Sequence, residues 1–160
     1  MRLSHLLLAS IALGFTTTPS AAHQKTVLAV IEPAFSHHSL NRAKLAAIYL
    51  RERFHWSDGT KIEPVNLPAE GSARLLFSRA VLGRGPQDLE PYWNRRYFDG
   101  ILPPYVLHSP RAVLRFVART RGAVGYIPYD MVDARVRVVL LITDHGRVRR
   151  PALPPISQNR

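Results

Sequence analysis

The chain has 160 residues, no cysteine, and 22 lysines and arginines against 11 aspartates and glutamates, a formal net charge of +11. That length supports one domain with a real core and excludes two of ordinary size. The lack of cysteine excludes a disulfide framework and thiolate chemistry, so packing must supply the stability.

Residues 1–22 have the layout of a secretory leader. Met1, Arg2 and His5 make a basic start, an apolar run extends from Leu6 to Phe15, and a small, polar stretch ends at Ala22. Ser20 and Ala22 suit the two pockets of a signal peptidase, which places the cut after Ala22. The apolar run falls short of the ~20 residues that span a bilayer. The expected mature protein is therefore periplasmic or secreted, with no stable membrane insertion. In an exported protein a basic excess favours phosphates, acidic polymers or acidic proteins, and nucleic acid is not an expected partner.

Residues 26–31 (TVLAVI) read as a buried strand that stops at Glu32 and Pro33. Ser39 can cap a helix on which Leu45, Ile48 and Tyr49 recur at helical spacing. Asp58 and Gly59 mark a turn, and residues 62–67 (IEPVNL) form a second strand. From Ser72 a second helix is expected to bury Ala73, Leu76, Phe77, Ala80 and Val81 and to stop at Gly83. A third, from near Pro86, is expected to bury Leu89, Tyr92, Trp93 and Tyr97. A short strand at residues 105–107 follows. Ser109 and Pro110 then open a fourth helix, through Val113, Phe116 and Val117. Residues 123–127 (AVGYI) and 136–142 (VRVVLLI) are the last strands, and residues 144–160 read as a basic, proline-rich, loosely attached tail. Strands interleaved with helices predict one α/β domain over residues 23–143, three layers deep, with a mixed sheet of about five strands.

The most informative local feature is the run from Leu67 to Arg74, a loop leaving a strand and entering a helix. The first amides of a helix lack intrahelical partners and carry partial positive charge, so an oxyanion can be held there. Gly71 lets a ligand approach the backbone, the Ser72 hydroxyl and Ala73 amide add donors, and Arg74 can add a charged fork. The same residues also read as an ordinary cap and turn followed by a solvated arginine.

Taken in order, several motifs make the sequence similar to the phosphate-binding proteins of ABC transporters. They are the strand before Pro33, Ser39 and Leu40 opening a helix that ends at residues 47–50, and Trp56 to Gly59. Ile62 to Val65, Gly71 with Ser72, Phe77, Val81 to Gly83, Trp93 and Gly122 to Tyr126 complete the series. More narrowly it resembles their small, single-lobe, type 2 periplasmic-binding-protein-like relatives. The resemblance implies one lobe of that fold and oxyanion binding by hydroxyls, helix N-termini and an arginine. Gly71 and Ser72 match the family's Gly-Ser at the helix start. Asn66, Leu67 and Pro68 stand where an arginine usually precedes that loop, and Ala73 and Arg74 replace a Gly-Thr.

The expected ligand-binding residues are thus Gly71, Ser72, Ala73 and Arg74, serving a substrate-binding protein that takes phosphate or another oxyanion weakly. The alternative is a non-catalytic envelope interaction or sensing module whose basic surface meets a protein or acidic partner. His37, His38 and His55 have no spacing that fixes a metal site. His23, once amino-terminal, could offer its amine and ring to copper, but no metal or cofactor is expected. Ser72 lacks a Gly-x-Ser-x-Gly elbow, and Asp130 and Asp133 flank a loop. No catalytic residue is expected, and the chain is read as a non-enzyme.

Overall fold

The structure, a computed structural model, describes residues 27–151. The leader (1–22), His23 and the end of the tail (152–160) lie outside the described residues. Along the described chain run β1 (Leu28–Pro33), α1 (Arg42–Tyr49), β2 (Glu63–Asn66), α2 (Ser72–Phe77), α3 (Glu90–Phe98), β3 (Tyr105–Val106), α4 (Pro110–Arg119), β4 (Ala123–Pro128), β5 (Val136–Ile142) and β6 (Val148–Arg149).

The strands form one mixed sheet in the order β3-β2-β4-β1-β5-β6. β2 runs parallel to both β3 and β4, whereas β1 is antiparallel to β4 and β5. The central position of β1 explains its consecutive apolar residues, because both of its faces are covered and the whole strand is buried. β4 shows the layering through strand alternation. Tyr126 points to α1 and α2, where its ring meets Tyr49 and Phe77. Its neighbour Gly125 points the other way, and a Cβ there would lie 2.6 Å from Val113 Cγ1 of α4. Glycine at this position is what lets α4 settle onto the sheet.

Several expectations need correction. The cap of α1 is Asn41, whose side chain accepts from the Lys44 amide at 2.8 Å, and not Ser39. The helix begun by α2 widens into a π turn at Ser78–Leu82 before Gly83 ends it in the left-handed region. Its inward face carries Arg74, Phe77, Ser78, Ala80 and Val81, while Ala73 and Leu76 are only half-buried. Leu89 is buried as expected, but α3 itself buries no residue fully, and Tyr97 is exposed. The tail is not loose from its start. The chain turns after Ile142, and Val148 and Arg149 pair with Ile142 and Leu141 as a sixth strand. By contrast, the Ser109 hydroxyl accepts from the Ala112 amide at 3.2 Å, the cap expected for α4.

At the end of the sheet where β1 finishes, Glu32 is wholly buried and bonded to the guanidinium of Arg137. His38 Nδ1 lies 2.8 Å from the same carboxylate. The His38 ring stacks on Trp56 at 3.9 Å, and the Trp56 indole N–H donates to Gly122 O at 3.0 Å. This network clamps three loops together opposite the end described next.

Candidate functional site: the start of α2

β2, β3 and β4 deliver their C-terminal ends to one edge of the sheet, the side on which open α/β folds hold ligands. α2 begins there. Gly71 is its N-cap, in extended conformation and without a side-chain cap bond. The Gly71 amide is used by Pro68 O at 3.1 Å, and the helical ladder starts with the Leu75 amide donating to Gly71 O at 3.0 Å. The amides of Ser72, Ala73 and Arg74 are thus the first-turn donors that a helix leaves over. Ser72 is exposed, and Gly71 and Ala73 are half-buried.

Arg74 separates from this group. It lies half a turn round the helix from the Ser72 face and is only 9% exposed. Its Nε donates to Ser78 Oγ at 3.1 Å. Among the described residues no ion pair joins it to a carboxylate. Its charge is felt by two buried phenols. Burial pushes Tyr49 well above its usual pKa and Tyr126 above its own, and in both the nearby Arg74 pulls the other way. The Tyr126 hydroxyl receives the Leu67 amide at 3.2 Å and donates to Asn66 Oδ1 at 3.3 Å. The Tyr49 hydroxyl donates to the carbonyls of Val65 and Val124, at 3.0 and 3.3 Å.

The sequence-predicted residues therefore adjoin along the chain but face two directions. Gly71, Ser72 and Ala73 present the helix start outward, while Arg74 sits inward beside Tyr126. The involvement of Asn66 and Tyr126 was missed. Arg74, Phe77, Ser78 and Val81 follow the i, i+3, i+4, i+7 pattern of one face, a signal that an arginine naturally obscures. Among the described residues no group of three or more histidines, cysteines and acids is placed to hold a metal ion.

The mixed sheet with helices on both faces, and a helix that starts beyond its parallel strand ends, is consistent with one lobe of a periplasmic-binding-protein-like fold. Solved structures of phosphate-transport receptors have this fold. One, assigned as a phosphate ABC transporter substrate-binding protein of Clostridium perfringens with bound phosphate, aligns at TM-score 0.60 and 18% identity over 72% of this chain and 44% of that one. An ABC-type phosphate transport receptor from Vibrio cholerae aligns at TM-score 0.58 and 22% identity over 78% and 53%. PstS from Borrelia burgdorferi aligns at TM-score 0.51 and 16% identity over 72% and 47%. The chain spans about half the length of these structures, and at such identities the likeness is one of fold. No family model and no curated protein matches the sequence. Among the described residues no helix is long and apolar enough to cross a membrane.

Proposed function

We propose that the chain is an exported binding protein, not an enzyme, and holds phosphate or a similar oxyanion at the start of α2. The observation that carries this reading is Arg74. A guanidinium taken largely out of water loses hydration that only a counter-charge or a full set of hydrogen bonds restores. Here its neighbours are hydroxyls, and among the described residues it has no carboxylate partner. An anion seated on the axis of α2 at its first-turn amides would lie between the outward Ser72 hydroxyl and the inward Arg74 and would offset that charge, helped by the helix dipole. On this lobe alone the anion stays wet on one side and affinity is weak. Isothermal titration of the full chain with phosphate and sulfate tests this reading. Heat at millimolar ligand, lost in Arg74→Met and reduced in Ser72→Ala, is the expected result. Silence of the native chain removes the reading. Export is tested by the N-terminal mass of the secreted protein, which should begin at His23.

A second reading, docking to an acidic envelope partner, is favoured by α4. Arg111, Arg115 and Arg119 are exposed at four-residue spacing, and Val113, Leu114 and Val117 are buried, so the arginines form one outward ridge. None of the three has an ion pair among the described residues. Capture from envelope extracts that weakens steeply with salt and is lost when all three become glutamine would support it.

A further inference from the structure

On the face of α2 away from Arg74, a cleft of about 760 Å3 runs between the helix and the turn joining β5 to β6. Ser72, Leu75, Leu76 and Arg79 line it, at the i, i+3, i+4, i+7 spacing that puts them on one side of a helix. Leu75, Leu76 and Ala80 make its wall apolar, while Arg42 and Arg79 bring positive charge. Arg42 is held by its Nε, which donates to Ala80 O at 2.7 Å. The opposite wall is a tight turn. Gly146 lies at φ +72°, with its amide on Thr143 O at 2.8 Å and the Thr143 amide on Arg147 O at 3.0 Å.

Two features decide what such a cleft takes. Its volume equals about 25 water-sized units of ~30 Å3, far more than an inorganic oxyanion fills and inside the roughly 300–1,000 Å3 of organic-ligand pockets. Its charge is also one-sided, because Asp144 is the only carboxylate among lining residues that include two arginines. The seven steps from Ser72 to Arg79 rise about 10 Å, which matches a short extended chain better than a compact ring.

We propose that this cleft is a second binding site, for a small organic anion with a linear apolar body. Its acid head pairs with Arg42 and Arg79, and its chain lies along Leu75, Leu76 and Ala80. The site shares Ser72 with the oxyanion reading but does not use Arg74, so Arg74→Met tells the two apart.

The full chain is titrated with n-octyl phosphate, inorganic phosphate and n-octanol. Octyl phosphate is expected to bind at least tenfold more tightly than either of the others. Arg79→Gln and Leu75→Asp should each weaken it about tenfold, with Arg74→Met leaving it unchanged. Arg79→Gln changes an exposed side chain, so it serves if Leu75→Asp misfolds by circular dichroism. Equal affinity for octyl and inorganic phosphate would overturn the proposal, as would loss of octyl phosphate binding in Arg74→Met alone. A concentration-dependent dimer broken by Leu75→Asp would also overturn it, by assigning the cleft to a second copy.

Discussion

Phe77 and Tyr126 lie face to face, with ring centroids 3.9 Å apart and planes within 6° of parallel. The stack fastens α2 to the middle of the sheet, and Arg74 sits one turn earlier on the same face. Phe77→Ala should therefore loosen both. Loss of a fully buried phenyl costs about 3–5 kcal/mol, readable as a lower denaturant midpoint, and the phosphate heat should vanish with it.

Arg74→Met separates binding from folding. Replacing a largely buried guanidinium that has no carboxylate partner among the described residues with an apolar side chain of similar length removes its desolvation cost. The variant should melt at the native temperature or above, yet gain nothing from millimolar phosphate. The native chain should rise in melting temperature with phosphate, as linkage requires of any ligand that binds only the folded state. A variant that melts far below the native protein would make Arg74 a structural residue.

Two glycines respond differently to alanine. At Gly122 a Cβ would lie 2.1 Å from the Lys61 backbone oxygen, and φ is +78°, so neither the backbone conformation nor the space permits a side chain. At Gly125 the near atoms belong to side chains of Val113, Val117 and Val65, the first two of which can shift with α4. Gly125→Ala should lower stability by about 1–3 kcal/mol, as overpacked cores do. Gly122→Ala should cost more, and should alter Trp56 fluorescence because Gly122 O receives the indole N–H. Chemical denaturation of both variants, followed by Trp emission, checks the order.

Alkaline unfolding follows from the two raised phenols. Burial favours the neutral form of Tyr49 and Tyr126, whereas an unfolded tyrosine ionises near about pH 10. Above that pH the folded state binds more protons than the unfolded one, so stability is full below about pH 10 and falls as pH rises through the folded pKa values. Phenolate absorbance from these two residues should therefore appear together with the loss of circular dichroism. Its appearance in a chain that still shows native dichroism would contradict their burial.

The order of strands and helices was legible because each long element carries its own period. TVLAVI and VRVVLLI are short runs dominated by β-branched and apolar residues, Val113 and Val117 recur at helical spacing, and Ser109 with Pro110 marks a start on its own. Gly71 and Ser72 likewise announce a helix entry. What the local pattern leaves open is how far each helix is rolled about its axis. Phe77 against Tyr126 settles that for α2, turning Arg74 inward and Leu75 and Arg79 outward. The cleft and β6 also arise from contacts across the fold, where the turn at Gly146 packs near Ala80 and Val148 finds Ile142. Periodicity states which residues share a face. Only packing against a partner element decides which face is buried, since that choice depends on surface removed from water by residues far away in the chain.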